Sequence, residues 1–423
     1  MAAAQPSLPG PDDIHRQVLP NGITILTRPN FNSAAVTVSG YLPAGALAES
    51  EEKLGLADFT ASALMRGTSR RSFDAIFNDL ESAGASFGYD SATHTTSFGG
   101  RALVEDLGLL LGLLSETLCM PAFPDEELEK LRAQLLTGLA LRAQDTSDMA
   151  DLIFDQLIFD GHPYAHPGDG WPETVQSITR QDMVDFHRRF FGPRGMVIAI
   201  VGGIEPAKAV GAVEQYLGEW RVEGQKEMPL LPALRPLTGR IERRHRIAGK
   251  AQSDLVIGTY GPRRTDSWYA AASLGNSVLG QFGMMGRIGE VVRERAGLAY
   301  YAYSSLRAGL GPGTWTASAG VNPMNVDRAI ELIISELERF MSEGVTAEEL
   351  ADCQANFSGR LPLGLESNGG VTSALLKMER FGLGLDYYRT YADRINRVTR
   401  EDVLETARKY IAPEILAISV AGP

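Results

Sequence analysis

The chain has 423 residues, of which 44% are hydrophobic and 22% charged, a composition typical of globular proteins. At roughly 150 residues per domain, this length predicts two or three domains. The formal net charge of −12 argues against nucleic-acid binding, which requires a basic surface, and no apolar run reaches the ~18 residues that a membrane span needs.

The first half of the chain contains separate runs of strand and helix patterns. Pro20-Asn21-Gly22 lies between the apolar runs of RQVLPNGITILTRP and predicts a β-hairpin, and AVTVSGYLPAG predicts the next strand. A helical pattern begins near Glu51 and extends to Gly67, FDAIFNDLESAG predicts a second helix, and ASFGYDSATHTTSFGG alternates like a strand. Two long helices and a final strand close this half, so we expect an α+β fold in which helices cover a mainly antiparallel sheet.

The most informative feature of the sequence is an internal repeat. ITRQDMVDFHRRFFGPRGMVIAIVGGI begins at Ile178, and VTREDVLETARKYIAPEILAISVAGP begins at Val398. In each copy a threonine precedes a helical pattern, where its hydroxyl can accept a hydrogen bond from a free backbone N–H group. The segments around Phe123 and Val345 form a second matching pair with the same order and nearly the same spacing.

This repeat predicts two similar domains that arose by duplication, because two units are too few for a solenoid. We expect the first domain to span 1–224 and the second 241–423. Between them, residues 225–240 read QKEMPLLPALRPLTGR, and three prolines in this segment predict an extended, semi-rigid linker.

The second half contains a helical pattern, IGEVVRERAG, that we expect to end at Gly297, followed by the predicted strand LAYYAYSSL. Arg293 at the end of this helix and Tyr300 on the strand could converge on one cleft. The helix dipole alone also favours an arginine there, and aromatic residues commonly pack in strands. A series of glycines precedes the helix: Gly280, Gly283, Gly286 and Gly289.

The sequence lacks the common catalytic motifs. Its six histidines include neither H-E-x-x-H nor H-x-x-E-H, the spacings that place two imidazoles and a general base on one helical face. His162 and His166 lie in GHPYAHPGDG, where prolines and glycines oppose a regular helix, so we expect a structured loop there rather than a metal site. No G-x-S-x-G elbow or phosphate-binding P-loop is present either.

Taken together in their order, several segments resemble the pitrilysin/insulinase family of zinc peptidases. They are the LPNG hairpin, AGALAESEEKLGLADFTASALMRGTSRRS, ESAGASFGYDSATHTT, HPYAHPGDG, SITRQDMVDFHRRFF and GRIGEVVRERAGLAYYAYSS. The resemblance covers nearly the whole chain. It implies two similar α+β halves that form one half of a clamshell, with a partner chain closing the other side.

The resemblance also implies that the zinc site of this chain is degenerate. At the positions of the family's H-x-x-E-H motif, Asp58 replaces the first histidine, Ala61 the catalytic glutamate and Ser62 the second histidine. The third family ligand is a glutamate on a later helix, where Gly138 or a neighbour stands. Catalytic zinc needs three protein ligands, so we expect no metal and no catalytic residue in this chain.

The C-terminal half retains the family's substrate-binding pattern, an arginine followed seven residues later by a tyrosine, as Arg293 and Tyr300. The resemblance therefore implies a non-catalytic subunit of a heterodimeric zinc peptidase, whose homologous H-x-x-E-H partner binds zinc and whose substrates are peptides. The alternative is a peptide-binding or structural core protein without a peptidase role. Gly280, Gly283 and Gly286 match a substrate-contacting loop of related subunits, although a tight turn before a helix is an equal alternative. We expect a periplasmic protein with its leader removed, or alternatively a cytoplasmic one.

Overall fold

The computed structural model describes residues 8–423, and its strands and helices follow one another along the chain in two similar series. The strands are β1 (His15–Val18), β2 (Thr24–Pro29), β3 (Ala35–Leu42), β4 (Ser86–Ser91), β5 (Thr96–Leu103), β6 (Val197–Gly202), β7 (Ile241–Arg246), β8 (Ser253–Gly261), β9 (Ala299–Arg307), β10 (Gly313–Val321) and β11 (Ala417–Gly422). The helices are α1 (Leu56–Ala63), α2 (Phe73–Ser82), α3 (Leu107–Cys119), α4 (Asp125–Arg142), α5 (Thr146–Ile158), α6 (Pro172–Ser177), α7 (Arg180–Phe190), α8 (Pro206–Leu217), α9 (Tyr269–Gly280), α10 (Phe282–Gly289), α11 (Val326–Glu343), α12 (Ala347–Gly364), α13 (Asn368–Arg380), α14 (Tyr391–Asn396) and α15 (Arg400–Tyr410).

Two sheets that share the order of five strands organise the molecule, and the first has one further strand, β1. The six-stranded sheet has the order β1-β2-β6-β3-β5-β4, and the five-stranded sheet has the order β7-β11-β8-β10-β9. In each sheet one pair is parallel, β2 with β6 and β7 with β11, and the other pairs are antiparallel. The predicted α+β fold with two similar, mainly antiparallel sheets is therefore confirmed.

The duplication is visible in individual hydrogen bonds. Thr179 and Thr399 each cap a helix, α7 and α15, and each forms a reciprocal capping box with the aspartate three residues later. The next residue also repeats its contact, because Arg180 Nε donates to the Phe123 carbonyl at 2.8 Å and Arg400 Nε donates to the Val345 carbonyl at 2.7 Å. The two pairs of similar segments in the sequence thus form the same pair of contacts in both halves.

Two compact units surround these sheets, and each takes segments from both halves of the chain. The first unit comprises residues up to Leu139, Pro167–Leu230 and Pro362–Arg389, and the second comprises Ala140–His166, Leu231–Leu361 and Thr390–Pro423. The predicted domains, 1–224 and 241–423, divide the chain by copies of the repeat and not by compact units. Their boundaries stay a prediction.

The exchanged segments contain two equivalent helices, α5 and α13. Helix α5 packs on β11 and β8 in the second unit, where Ser419 Oγ donates to the Ala150 carbonyl at 2.6 Å. Helix α13 packs on the equivalent strands β6 and β3 in the first unit, where Asn368 Nδ2 donates to the Ala35 carbonyl at 3.0 Å. Each sheet is therefore covered in part by a helix from the other half of the chain.

The hairpin and the strand in AVTVSGYLPAG were predicted at their observed places, and Gly22 takes the positive φ of 98° that the turn requires. The segment ASFGYDSATHTTSFGG, expected to alternate like one strand, instead contains β4 and the start of β5, which pair antiparallel with each other. The prediction that an α-helix begins near Glu51 was wrong. Residues Glu51–Lys53 form a separate 3₁₀ turn, and the α-helix begins only at Leu56, because Gly55 has a φ of +92° and interrupts it. Among residues 8–423, no helix combines the length and apolar character that crossing a bilayer requires.

Candidate functional site

The helix at the degenerate zinc motif is α1, and a distant carboxylate caps it. Its N-cap residue is Gly55, which has no side chain to offer. Glu49 supplies the missing acceptor, since its carboxylate accepts from the Gly55 N–H at 3.0 Å and from the Ala57 N–H at 2.6 Å. These two bonds satisfy donors at the helix start that would otherwise lack partners.

The motif positions on α1 differ in their exposure. Asp58 and Ser62, four residues apart and hence on one face, are both half-buried, whereas Ala61 is only 1% exposed. The Arg132 guanidinium of α4 lies 5.0 Å from the ring centre of Phe59, so α4 packs against α1. Gly138 also lies on α4, and a Cβ added there would meet no atom within 4 Å.

The surroundings of Asp58 are acidic. Burial, followed by the charges of Asp169 and Asp90, raises the pKa of Asp58 to about 6. Burial also raises the pKa of Glu49 to about 8, although two backbone N–H groups stabilise its charged form and the charge of Asp58 adds to the rise. This part of the first unit therefore holds carboxylates that are partly protonated near neutral pH.

The side chains at the motif do not fit a catalytic zinc ion. Zinc binds imidazole, thiolate and carboxylate groups, and a catalytic site uses three of them. The family positions offer one carboxylate, Asp58, beside the apolar Ala61, the hydroxyl of Ser62 and the bare Gly138. Within the described part of the chain, no three His, Cys, Asp or Glu side chains are grouped so that they could hold a metal ion.

Because Asp58 has a pKa raised from 3.8 to about 6, its charge destabilises the folded state at neutral pH. The folded protein takes up this proton as the pH falls through 6, so the penalty is present at pH 7 and disappears toward pH 4. We expect Asp58→Asn to raise the free energy of unfolding by about 1–2 kcal/mol at pH 7 and by much less at pH 4.5. Urea unfolding of both proteins at the two pH values measures this difference, and an equal or lower stability of Asp58→Asn at pH 7 would contradict it.

The residues of the expected substrate-binding pair lie on either side of a tight turn in the second unit. Arg293 belongs to a π-helical turn, Glu290–Arg295, that continues α10. The chain leaves this turn at Gly297, whose φ is +64° and whose N–H donates to the Arg293 carbonyl at 3.1 Å. The glycine stop predicted from the sequence is confirmed, and β9 begins two residues later with Tyr300 as its second residue.

Tyr300 is the extra residue of a β-bulge. In the pairing of β9 with β10, Tyr301 lies opposite Gly320 and Ala299 lies opposite Val321, so Tyr300 has no partner. Its exposed fraction is 84%, and β9 is an edge strand of the five-stranded sheet. A bulge turns a side chain away from the regular alternation of a strand, and here it leaves the Tyr300 hydroxyl accessible to a ligand.

The Arg293 guanidinium is held only loosely. Its Nε lies 3.6 Å from Glu294 Oε1, and the side chains of both residues are partly exposed. An exposed ion pair of this length contributes little free energy, so a carboxylate or carbonyl of a ligand can compete for the guanidinium. Arg295, two residues later, has a closer partner, because its Nη2 lies 2.5 Å from Glu290 Oε1.

Two glycines of the series pack against β9 and against each other. A Cβ on Gly280 would lie 2.0 Å from the backbone nitrogen of Ser304, and one on Gly286 would lie 2.5 Å from the nitrogen of Gly280. Gly283, by contrast, has a φ of +65° and open space around the position of a Cβ. The structure thus assigns Gly280 and Gly286 a packing role, while the expected contact of this segment with substrate stays a prediction.

A polar cleft beside β9 was not predicted from the sequence. It has a volume of about 410 Å³, and the residues that line it include Asp254, which has an exposed fraction of 3%. The Asp254 carboxylate accepts from the hydroxyls of Tyr301 and Thr146 and, at 2.8 Å, from Gln252 Nε2. These residues come from three separate segments, so no local motif could have revealed the cluster.

The two neighbouring histidines, His162 and His166, flank a 3₁₀ turn, Pro163–Ala165, rather than lying on a regular helix. His162 is buried, and its Nδ1 accepts from the Tyr164 N–H at 3.1 Å. The structured loop predicted for this segment is confirmed.

Comparison with known proteins identifies the family. Residues 24–159 match the family model described as insulinase (peptidase family M16), and residues 177–357 match the model described as peptidase M16 inactive domain. An uncharacterized zinc protease of Streptomyces coelicolor is 27% identical over 97% of this chain and 90% of its own length. Subunit 1 of the mitochondrial cytochrome b-c1 complex of Mus musculus is 26% identical over 63% of this chain and 55% of its own length.

Solved structures agree with this assignment at the level of the fold. A peptidase M16 inactive domain from Pseudomonas fluorescens superimposes with a TM-score of 0.87 at 24% identity, over 97% of this chain and 98% of the other. A protease from Helicobacter pylori superimposes with a TM-score of 0.91 at 18% identity, over 98% of this chain and all of the other. The two M16 models together cover most of the chain, and the chain therefore belongs to the M16, or insulinase, family of peptidases.

Proposed function

We propose that this chain is the non-catalytic subunit of a heterodimeric zinc metallopeptidase. Its partner would be a homologous chain that carries H-x-x-E-H and binds the zinc, and its own contribution would be to hold the substrate peptide through Arg293 and Tyr300. The observation that carries the proposal is the bulge at Tyr300, which exposes 84% of this residue on an edge strand. This strand follows the loosely paired Arg293 after the turn at Gly297.

The chemistry of the pair suits a peptide. A tyrosine hydroxyl can donate a hydrogen bond to a peptide carbonyl, and this bond strengthens as the oxygen gains negative charge during attack on the carbonyl carbon. An arginine fork can bind a neighbouring backbone carbonyl or a carboxylate through two parallel N–H groups. The hydrolytic chemistry itself would come from the partner, because the family positions Asp58, Ala61, Ser62 and Gly138 offer too few ligands here.

The proposal is tested by measuring zinc content and peptidase activity of this chain alone, of the H-x-x-E-H chain alone, and of the two mixed. We expect the lone chain to be zinc-free and inactive, and the mixture to cleave unfolded peptides faster than the partner alone. A mixture with the partner's motif glutamate changed to glutamine should lose activity and serves as control. Stoichiometric zinc and peptide cleavage by the lone chain would overturn the proposal.

The second candidate is a structural or peptide-binding core protein without a peptidase role. The similarity to subunit 1 of the cytochrome b-c1 complex favours it, since this similar protein is named as part of an assembly rather than as a peptidase. The same experiment separates the two candidates, because a core protein forms a complex with its partner but leaves the peptidase activity of the partner unchanged.

A further inference from the structure

The outer edge of β7 is unpaired, although the equivalent edge in the first unit is covered. There, β1 pairs with the outer edge of β2 as the last strand of the sheet. In the five-stranded sheet, β7 itself is the last strand, and no described residue pairs with its outer edge. All six residues of β7 are exposed.

Matching hydrogen bonds establish that β2 and β7 are equivalent. In the first unit, the Thr24 N–H donates to the Met196 carbonyl and the Asn30 N–H to the Gly202 carbonyl. In the second unit, the N–H groups of Ile241 and Ile247 donate in the same way to Leu416 and Gly422. This register places residues 232–235 at the position of β1, but they include Pro232, precede Pro236 and form no strand.

This register determines which residues of β7 direct their backbone N–H and C=O groups toward the outer edge. Neighbouring residues of a strand direct their N–H and C=O groups to opposite sides. Since Ile241 and Ile247 donate inward to β11, the alternate residues Glu242, Arg244 and Arg246 direct their backbone groups outward. An exposed row of unpaired backbone donors and acceptors can accept an additional strand.

The side chains on this strand are basic, in contrast to the chain as a whole. Residues 240–246 contain four arginines and one glutamate, while the whole chain carries a net charge of −12. Arg244 is neutralised by Glu242 at 2.6 Å and by Asp327 at 2.5 Å, and Arg243 bonds to the neutral amide of Gln156 at 3.2 Å. Arg246 has no carboxylate partner in the described part of the chain, so positive charge remains along the edge.

We propose that the outer edge of β7 binds an extended acidic segment of a partner protein as an additional β-strand. The backbone groups of Glu242, Arg244 and Arg246 would hold the segment, and the arginines would select its negative charge. A second copy of this chain is a poor occupant, because residues 240–246, with four arginines and one glutamate, would face an identical segment of net positive charge.

This surface is separate from the Arg293–Tyr300 pair, and the proposal does not depend on the peptidase role. Strands β7 and β9 form opposite edges of the same sheet, with three strands between them. At about 4.8 Å per strand spacing, the two edges are roughly 19 Å apart. Substitutions in β7 should therefore leave the basal activity of any complex unchanged.

The test uses labelled peptides of about eight residues, the length of a strand, that alternate valine with glutamate, glutamine or lysine. Fluorescence anisotropy with the full chain should give the tightest binding for the glutamate peptide and the weakest for the lysine peptide. The binding of the glutamate peptide should weaken with added salt. Equal affinity for all three peptides would overturn the proposal.

A substitution at Glu242 separates strand addition from simple charge attraction. Glu242→Pro removes an outward N–H without removing the inward bonds to β11, and we expect at least about fivefold weaker binding of the glutamate peptide. The matched control Glu242→Gln removes the same negative charge but keeps the N–H, so it should bind this peptide at least as tightly as the native chain. Arg246→Glu should also weaken binding at least about fivefold.

Hydrogen exchange of the native chain gives an independent readout that needs no variant. Addition of the glutamate peptide should slow exchange at the amides of Glu242, Arg244 and Arg246, and leave exchange in β9 unchanged. A single-stranded DNA oligonucleotide of equal charge has no peptide backbone that could form a β-ladder and should not protect these positions. Equal protection by the oligonucleotide, or no protection by the peptide, would indicate a non-specific basic patch and overturn the proposal.

Discussion

Replacing Tyr300 by phenylalanine in the complex with an H-x-x-E-H chain is expected to lower kcat/KM about 100-fold, mostly through kcat. The substitution keeps the ring and removes only the hydroxyl, which at 84% exposure makes no contribution to the core. The loss should therefore report the hydrogen bond to the substrate carbonyl, which is strongest when that oxygen carries negative charge. Steady-state kinetics on a fluorogenic peptide measures it.

Tyr303→Phe is the matched control. Tyr303 is also an exposed tyrosine of β9, with an exposed fraction of 37%, but it lies in the regular part of the strand, opposite Ser318. Its substitution should change kcat/KM by less than about threefold, as expected for a residue that does not contact the reacting group. Equal effects of both substitutions, or none from Tyr300→Phe, would assign the chain a scaffold role.

The second large effect is expected for Gly280→Ala. The added methyl group would lie 2.0 Å from the backbone nitrogen of Ser304 and 2.6 Å from its hydroxyl oxygen, so β9 or α9 must move. Ser304 cannot yield easily, because its hydroxyl bonds to the side chain and the carbonyl of Asn276 at 2.8 and 3.0 Å. We expect the free energy of unfolding of the second unit to fall by about 3 kcal/mol, which urea unfolding followed by circular dichroism can measure.

Gly283→Ala tests whether packing, rather than backbone conformation, explains that loss. Gly283 has a positive φ of 65°, but nothing lies within 4 Å of an added Cβ. Only the left-handed conformation then opposes the substitution, at a cost of about 1 kcal/mol. Similar losses for both variants would contradict the packing role of Gly280, whereas an intact fold with impaired peptide cleavage in Gly283→Ala would favour the substrate-contacting segment.

The parts of the fold that depend on local signals could be predicted from the sequence. Thr179 and Thr399 predicted two helix starts, and the hydroxyl of each accepts a hydrogen bond from its helix as expected. Gly297 predicted the turn between Arg293 and Tyr300, and it has the required positive φ. These features depend on a few neighbouring residues. The repetition of the threonine caps along the chain reveals the duplication directly.

Features that depend on distant partners could not be predicted in this way. The cap of α1 by Glu49 bridges a 3₁₀ turn and a glycine, so it matches no capping motif. The bulge at Tyr300 depends on the register between β9 and β10, which the alternation of side chains does not determine at one residue. The polar cleft beside β9 is lined by residues of three segments, and its hydrogen bonds form only in the tertiary structure.

The reciprocal exchange of α5 and α13 has a consequence for the synthesis of the chain. The first sheet receives α13 only after residue 380 has left the ribosome, because this helix follows all strands of that sheet along the chain. Until then the face of β3 and β6 that α13 covers is exposed, although all strands of that sheet were translated much earlier. An independent N-terminal domain could complete its folding before the second half is made. Here the N-terminal half cannot, and the growing chain must keep this sheet face from aggregating until α13 is released.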